Sequence, residues 1–363
     1  MRVLVIGPGK MKFMPYAHFY LDNMDRNSNE IHVAYWNRDE KEEDLSQFKG
    51  LQLHEFKKYI LDDYPLWKKL KLFYSYRRFC ILLLKKYKFD YIVVLHSIPA
   101  FVLYDWLVKH YQNRFIFDYR DSTYESRVKF FKKAVGRLIN SSQVTFTSSD
   151  GFREYFPKDC QYKVITSHNL LKESLLYRDV AKRKSDKIRL SFWGFIRHID
   201  INKYIITRIG NDARFELHYY GREQQEAITL KEYASRNNYR NVFFHGEYKP
   251  EDRYTFAENT DLIHNIYKDE NMLRAMANKY YDGIIFRIPQ ICFPDSQMSK
   301  MCVSAGVGIF CDPREIDFCD KLYDYYHSIN YATFSKNCDQ ELNRVMSQYK
   351  HGSQIIRNIF AKI

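Results

Sequence analysis

The sequence RKSDKIRLSFW, residues 183–193, separates two halves of the chain that follow the same pattern. Its first five residues are charged or polar and predict an exposed linker, whereas the apolar run 188–193 predicts a buried strand that begins a new domain. A chain of 363 residues also exceeds the usual size of one domain. We therefore expect an N-terminal domain over residues 1–182, a second domain over 188–345, and a last helix over 346–363 that packs back on the first domain.

Short apolar runs alternate with longer helical stretches on both sides of this linker. The predicted strands are residues 3–6, 31–35, 91–95, 114–117 and 144–147 in the first half, and 188–193, 215–220, 242–244, 262–266, 290–293 and 308–311 in the second. Alternation of this kind is typical of parallel sheets with covering helices. The expected fold class is α/β, with two Rossmann-like, doubly wound domains whose ligands lie beyond the carboxyl ends of the strands.

The composition is that of a globular protein, because 45% of the residues are apolar and 28% are charged. The longest apolar runs, residues 80–84 and 91–95, are far shorter than the roughly 20 residues of a membrane-spanning helix. The first residues lack the pattern of a signal peptide. The seven cysteines form an odd set without a C-x-x-C pair, which argues against a disulfide framework and against a zinc site. We expect a cytoplasmic protein.

The formal net charge of +13 favours an anionic partner, which can be nucleic acid, lipid or a phosphorylated substrate. Residues 67–90 contain eight cations mixed with apolar side chains, a pattern typical of an interfacial helix. Two interpretations of this segment remain open: a helix that docks on an anionic membrane surface, and a core helix with a solvated lysine face. The basic residues belong to no recognisable nucleic-acid module, so no nucleic-acid partner is expected.

A glycine-rich loop, GPGK at residues 7–10, follows the first predicted strand and begins a helix that we expect over residues 11–24. Amides at a helix N-terminus favour an anion or a sugar hydroxyl. Gly9 and Lys10 are therefore candidates for binding a substrate hydroxyl that accepts a transferred group, here called the acceptor. A dinucleotide fingerprint needs a third glycine where Lys12 stands, so a nicotinamide dehydrogenase is not supported. The alternative is a plain strand-to-helix turn.

Polar residues also follow two later strands of the first half. His96 comes directly after the strand 91–95, and DYRD at residues 118–121 comes after the next strand. At this edge of a parallel sheet, His96 can accept a proton from a nucleophilic hydroxyl, while Arg120 and Asp121 are candidates for binding an acceptor. The alternatives are a histidine that bonds to the backbone and an Asp-Arg ion pair that fixes the loop.

Two cations follow the first strand of the second half. Gly194 and Arg197 come after the strand 188–193, and Lys203 lies six residues beyond Arg197. If the ligand is a sugar phosphate, breaking its sugar–phosphate bond develops negative charge on the leaving group, and cations at this position would stabilise the transition state. Arg197 and Lys203 are therefore candidates for a catalytic role. Solvent-facing cations are common, however, and provide the alternative interpretation.

Residues 278–289, NKYYDGIIFRIP, are the most informative stretch of the second half. Asn278 suits the N-cap of a short helix that ends before Pro289. Lys279 and Asp282 are three residues apart and share one face of this helix. The helix amides and Lys279 suit a phosphate, and the carboxylate suits two ribose hydroxyls. The alternative is an exposed Lys–Asp pair.

This stretch resembles the asparagine-lysine-x-x-glutamate helix, with its later proline, of GT-B glycosyltransferases in family 4 and of their capsular-polysaccharide relatives. Three other segments share the resemblance: the strand-glycine segment 241–246 with the later Asp261, the D-x-R-D loop at 118–121, and Ser-His-Asn at 167–169. The landmarks follow the order that the family has. They imply the GT-B fold, with two domains that face each other across a cleft.

The resemblance also implies roles for the second-half residues. Asp282 would hold the ribose of the donor, Asn278 and Lys279 the diphosphate, and Arg197 with Lys203 the phosphates. The loop 245–248 would border the base. The implied donor-binding residues are Gly194, Gly246, Tyr248, Asn278, Lys279 and Asp282.

The implied chemistry needs neither an enzymic nucleophile nor a metal. Family members retain the configuration of the sugar, and the leaving diphosphate assists the acceptor. No metal and no separate cofactor are expected, and the sequence contains no D-x-D triplet. The nucleotide-diphosphate sugar is a co-substrate.

The sequence therefore predicts a hexosyltransferase that acts on a glycan or lipid-linked glycan in the synthesis of a bacterial capsular or other surface polysaccharide. It is expected in the cytoplasm, and at the inner face of the cell membrane if residues 67–90 dock there. Two alternatives share the fold: a non-catalytic protein that binds a nucleotide or glycan, and a nucleotide-sugar 2-epimerase. Arg274 keeps the first of them open, because it stands eight positions before Asp282, near where the family often has an acidic residue.

Overall fold

The computed structural model describes residues 1–61, 63–123, 125, 128–170, 185–249 and 252–361. These residues belong to two compact units, one formed by Met1–His168 with Ser347–Ile363 and the other by Asn169–Met346. Residues 182–184, where the sequence places the end of the first domain and the start of the linker, lie outside the described residues.

The first unit is built on seven parallel strands. They are β1 (Arg2–Ile6), β2 (Glu30–Asn37), β3 (Gln52–Lys57), β4 (Tyr91–Leu95), β5 (Phe115–Tyr119), β6 (Val144–Thr147) and β7 (Val164–Thr166). Their order in the sheet is β3-β2-β1-β4-β5-β6-β7. The central strands are apolar on both faces, and Val3, Leu4, Val5 and Ile6 of β1 are fully buried. This pattern is typical of a parallel sheet that is covered on both sides.

Helices join these strands. They are α1 (His18–Leu21), α2 (Leu66–Tyr87), α3 (Ser97–Val102), α4 (Tyr104–His110) and α5 (Lys129–Ser141). Short 3-10 helices occur at Met11–Phe13, Pro15–Ala17, Ser46–Phe48, Asp150–Tyr155 and Lys158–Lys163.

The second unit is built on six parallel strands. They are β8 (Ile188–Trp193), β9 (Phe215–Tyr220), β10 (Val242–Phe244), β11 (Leu262–Asn265), β12 (Gln290–Cys292) and β13 (Gly308–Phe310). Their order, β10-β9-β8-β11-β12-β13, repeats that of the first six strands of the other sheet. Both sheets thus have the 3-2-1-4-5-6 order of doubly wound folds, which confirms the predicted fold class.

The helices of the second unit cover its sheet. They are α6 (Ile199–Gly210), α7 (Gln225–Arg236), α8 (Arg253–Glu258), α9 (Glu270–Arg274), α10 (Asn278–Ile285), α11 (Gln297–Ala305) and α12 (Phe318–Ser328). A last helix, α13 (Tyr331–Phe360), begins in the second unit, and its residues from Ser347 onward belong to the first. There, the ring of Tyr349 lies 5.0 Å from that of Phe19, and the ring of Phe360 lies 5.1 Å from that of Tyr91.

The structure differs from the expected helix over residues 11–24. Two 3-10 turns and the single α-helical turn of α1 occupy this segment. Pro15 lies at the first position of the second 3-10 turn, where its ring suits the start of a helix but cannot continue an earlier one. The loop after β1 is therefore a compact turn without a long helix behind it.

Within the described residues, no helix is both long and apolar enough to span a bilayer.

Candidate functional site

A cavity of about 310 Å³ lies in the second unit, at the carboxyl end of β8 and the start of α10. The residues that line it are Trp193, Gly194, Phe195, Arg197, His198, Tyr248, Arg253, Tyr267, Met272, Met276, Ala277, Asn278, Lys279 and Asp282. The carboxyl ends of parallel strands are where doubly wound folds bind ligands. This cavity is therefore the candidate functional site of the second unit.

Helix α10 brings Lys279 and Asp282 into this cavity. The side chains are buried, with 6% of Lys279 and 3% of Asp282 exposed, so they are not the exposed surface pair of the alternative interpretation. The prediction that Asn278 is the N-cap is wrong, because Ala277 has the extended backbone of a cap and Asn278 is the first helical residue. Asn278 nevertheless lines the cavity.

The carboxylate of Asp282 is bonded from two sides. Trp193, the last residue of β8, donates its indole Nε1–H to Oδ2 at 2.8 Å. Arg253, the first residue of α8, places Nη1 3.3 Å from both carboxylate oxygens. Burial raises the pKa of Asp282, and the positive charge of Arg253 opposes that rise. The three side chains form a buried group that we call the Trp193–Asp282–Arg253 triad.

Lys279 is surrounded by aromatic rings. Its ammonium group hydrogen-bonds the hydroxyl of Tyr267 and lies 3.9 Å from the ring centroid of Phe192. Burial lowers the pKa of Lys279 to about 7; Asp282 opposes this shift and Arg197 adds to it. A negatively charged ligand in the cavity would favour the charged form of this side chain.

The loop after β8 supplies the next wall of the cavity. Gly194 has a backbone φ of 127°, a conformation that favours glycine, and a Cβ built on it would lie 3.6 Å from the Lys279 Nζ. Arg197 is exposed and stacks its guanidinium 4.3 Å from the ring centroid of Phe195. Lys203, which the sequence grouped with Arg197, points its ammonium at the ring of Tyr233 and is not among the described residues that line the cavity.

The loop after β10 contributes Tyr248 but not Gly246. Tyr248 lines the cavity, and burial raises the pKa of its hydroxyl to about 12. Gly246 has a positive φ of 82°, and its carbonyl accepts a hydrogen bond of 2.8 Å from the amide of Gly221. Gly246 therefore shapes the loop that leads to Tyr248.

In the first unit, His96 occupies a strained position at the carboxyl end of β4. Its φ of 77° and ψ of 155° fall in a region that is almost confined to glycine, and such strain costs on the order of 1–3 kcal/mol. Its Nδ1 accepts a hydrogen bond from the amide of Ile98 at 3.2 Å. Its Nε2 lies 3.6 Å from a carboxylate oxygen of Asp121, so the structure brings these two predicted residues together.

Arg120 is engaged in a buried ion pair. Its Nε lies 2.9 and 2.8 Å from the two carboxylate oxygens of Asp118, and both side chains are almost completely buried. Its guanidinium also lies 4.7 Å from the ring centroid of Tyr16 and bonds the Ser167 hydroxyl at 3.3 Å. The geometry matches the alternative interpretation, in which this pair fixes the loop.

The loop after β1 is held by acidic side chains from the segment that follows β2. The ammonium of Lys10 is buried and forms an ion pair with Asp39. Glu43 accepts hydrogen bonds from the amides of Met11 and Lys12, at 3.2 and 2.5 Å. The amides that the sequence predicts to bind an anion are therefore already bonded to a carboxylate of the protein. Gly9 itself faces open space, because a Cβ added to it would meet no atom within 4 Å.

Sequence reasoning missed Trp193 and Arg253 as parts of the site. A strand-end aromatic residue next to Gly194 is a weak signal for Trp193. No local pattern indicates Arg253, because its partner Asp282 is 29 residues away in the chain.

Among the described residues, no group of three or more histidines, cysteines, aspartates or glutamates is placed to hold a metal ion.

Comparison with known proteins identifies the fold. No protein-family model and no curated protein sequence matches the chain. Solved structures match it over almost its whole length at low sequence identity. Sucrose-phosphate synthase from Thermosynechococcus elongatus has a TM-score of 0.74 at 10% identity and covers 99% of both chains. HepE from Anabaena in complex with UDP has a TM-score of 0.69 at 10% identity and covers 99% of this chain and 100% of its own.

WaaG, a glycosyltransferase involved in lipopolysaccharide biosynthesis, has a TM-score of 0.64 at 11% identity, over 98% of this chain and 99% of its own. The two doubly wound sheets and this similarity together assign the chain to the GT-B fold, as the sequence resemblance predicted.

Proposed function

We propose that the chain is a glycosyltransferase that binds a nucleotide-diphosphate sugar in the cavity of the second unit. The observation that carries this proposal is the gathering of Arg197, Arg253 and Lys279 around one strand-end cavity in which Asp282 is the single carboxylate among the described lining residues. Three cations against one carboxylate complement the charge of a diphosphate. HepE, a structure of the same fold, contains UDP and, in a second structure, UDP and glucose.

The same cations suit the chemistry of sugar transfer. Departure of the nucleoside diphosphate concentrates negative charge on its phosphates, and fixed positive groups stabilise that charge in the transition state. Arg197 and Lys279 are the proposed phosphate contacts, and Asn278 and the helix amides support them. Tyr248, in the loop that Gly246 shapes, is proposed to border the base. Lys203 has this role only if its side chain turns away from Tyr233.

The acceptor is proposed to bind at the strand ends of the first unit. His96 would accept the proton of the attacking hydroxyl at Nδ1, once the hydrogen bond from the Ile98 amide opens, and its strained backbone supports a functional role. Asp121 lies beside it, and Gly9 faces open space on the same proposed acceptor side. Arg120 and Lys10 would support this side through their ion pairs with Asp118 and Asp39. We propose a retaining transfer of a hexose, without a metal or separate cofactor, to a glycan or lipid-linked glycan of a bacterial surface polysaccharide.

Calorimetric titration of the metal-free protein with UDP, GDP, CDP and ADP tests the donor site. We expect saturable binding of one of them, which also identifies the sugar nucleotides to assay for transfer. Absence of binding by all four would overturn the proposal. Binding without transfer to any glycan would favour the non-catalytic alternative, and interconversion of a free sugar nucleotide would favour the epimerase.

The affinity for the nucleotide is expected to fall as the pH rises above about 7. The pKa of Lys279 is lowered to about 7, and an anion binds its charged form, so affinity is greatest below this pH. Above it, affinity should decrease by at most about tenfold per pH unit. Titrations across about two pH units on either side of neutrality measure this effect.

Lys279→Arg is the control for this pH dependence, because arginine remains charged throughout and leaves only the ionisation of the nucleotide itself. An equal pH profile for the wild type and this variant would contradict the assignment.

Helix α2 carries a surface that suits an anionic membrane. The outer face of α2, as we call it, consists of residues that recur at helical spacing and are exposed: Trp67, Leu70, Lys71, Tyr74, Arg78, Leu82 and Lys85. Its opposite face is buried through Tyr76, Cys80 and Leu84. Exposed aromatic and aliphatic side chains beside cations are typical of interfacial helices. We propose that the outer face of α2 docks the protein on an anionic lipid surface.

Part of the basic segment does not belong to this face. Arg77 bonds the two carboxylate oxygens of Asp105 at 2.7 and 2.8 Å, and Lys68 lies over the ring of Tyr64. These two cations stabilise local structure. The cations on the outer face of α2 are Lys71, Arg78 and Lys85.

A further inference from the structure

The carboxylate of Asp282 bonds side chains of the protein itself. Its Oδ2 accepts the indole hydrogen bond of Trp193, and both oxygens lie 3.3 Å from the Nη1 of Arg253. The side chains of Arg253 and Asp282 are 8% and 4% exposed. These three contacts use about three of the roughly four acceptor sites of a carboxylate, which leaves too few for two ribose hydroxyls.

Arg253 forms a buried ion pair with Asp282. A guanidinium buried to this extent needs a paired anion, since an isolated buried charge is strongly unfavourable. Among the lining residues that the structure describes, Asp282 is the acidic side chain that meets this need. The indole of Trp193 holds the carboxylate from the β8 side, so that strand β8, helix α8 and helix α10 jointly fix the guanidinium at the cavity wall.

We propose that Asp282 is a positioning residue that holds Arg253 at the cavity wall, and that Arg253 contacts the diphosphate of the donor. This inference rests on the proposed function. In this arrangement Arg253, and not Asp282, contacts the ligand at this wall of the cavity. Asp282 then does not make the ribose contact that the sequence resemblance implies for it.

Inorganic pyrophosphate distinguishes a carboxylate that positions Arg253 from one that contacts the ribose, because it contains the phosphates of the donor and no ribose. Its affinity is measured by displacement of whichever nucleoside diphosphate binds among UDP, GDP, CDP and ADP. We expect Asp282→Asn to weaken the nucleotide and pyrophosphate by the same factor, about tenfold or more. We expect Arg253→Gln to weaken both as well, and the double variant to be little worse than Arg253→Gln alone.

A matched control is available in the same unit. Arg189 and Asp261 form a second buried ion pair, with Nε 2.8 Å from the carboxylate, and they do not line the cavity. Asp261→Asn should destabilise the fold without changing either affinity. Trp193→Phe removes the indole donor together with part of the ring, and it should weaken the binding of both ligands by an equal, smaller factor even if Asp282→Asn fails to fold.

Two results would overturn the inference. One is an Asp282→Asn variant that loses nucleotide affinity but keeps that for pyrophosphate, which would place the carboxylate on the ribose. The other is failure of pyrophosphate to displace the nucleotide from the wild type. Both differ from failure of the proposed function, in which none of the four nucleotides binds the wild-type protein.

Discussion

Replacing Lys279 with methionine is expected to weaken nucleotide binding about 100-fold while raising the stability of the protein. Loss of one partner of a buried charge-assisted hydrogen bond costs about 3 kcal/mol of binding free energy, which corresponds to this factor. Methionine has a similar length but needs no charged partner, so it suits the aromatic surroundings of Phe192 and Tyr267. Calorimetry measures the affinity, and thermal melting measures the stability.

The stability gain should itself depend on pH. Because the pKa of Lys279 is lowered to about 7, the charged form destabilises the folded state fully below that pH. This cost is relieved as the pH rises through 7 towards the unfolded value near 10.4. The variant should therefore exceed the wild type in melting temperature most clearly under acidic conditions.

Lys300→Met is a suitable control, because Lys300 is exposed on α11 and should affect neither quantity. Unchanged affinity in the Lys279 variant would remove this lysine from the binding site, whatever its effect on stability.

Replacing Lys71, Arg78 and Lys85 with glutamate is expected to abolish binding to anionic vesicles. Each cation near such a surface contributes about 1 kcal/mol, and reversal of its charge adds repulsion of similar size, which together amounts to about 6 kcal/mol for the three residues. Co-sedimentation with vesicles of equal parts phosphatidylglycerol and phosphatidylethanolamine measures the effect. Vesicles of phosphatidylcholine alone should bind the wild type weakly.

The matched control reverses three exposed cations of the second unit, Lys231, Arg236 and Lys300. Both triple variants lower the net charge equally, so only location separates them. Equal loss in both variants would show that total charge governs binding, and retained binding in the first would make α2 an ordinary surface helix.

The strands in which every residue, or every residue but the first, is buried were predictable from sequence. The fully apolar runs of β1 and β4 have no alternative to the interior of a sheet, and both were predicted. Two edge strands were missed. In β3 only one of six residues, Phe56, is buried, and β7 has only three residues. Such strands form because a neighbouring strand supplies hydrogen bonds. The local sequence pattern carries no information about that neighbour.

The candidate site was predictable only where local motifs define it. Lys279 and Asp282 share a helix turn, and Arg197 follows a strand, so their positions could be inferred from spacing. The contacts that decide their chemistry are distant in sequence, as in the bond from Trp193 to Asp282 across 89 residues. For Lys203 the spacing was misleading. It lies close to Arg197 in the sequence, but its side chain turns to Tyr233 on α7.

Helix α13 makes the first unit depend on a segment that is translated only after the second unit. The Nε–H of Arg357 donates to the Oδ1 of Asn23 at 2.9 Å, and Tyr349 and Phe360 pack on the rings of Phe19 and Tyr91 in the first unit. During synthesis, the first unit must therefore wait with part of its apolar surface uncovered until the second unit has been translated. For the same reason, expression of residues 1–168 alone would leave that surface exposed to solvent and prone to aggregation.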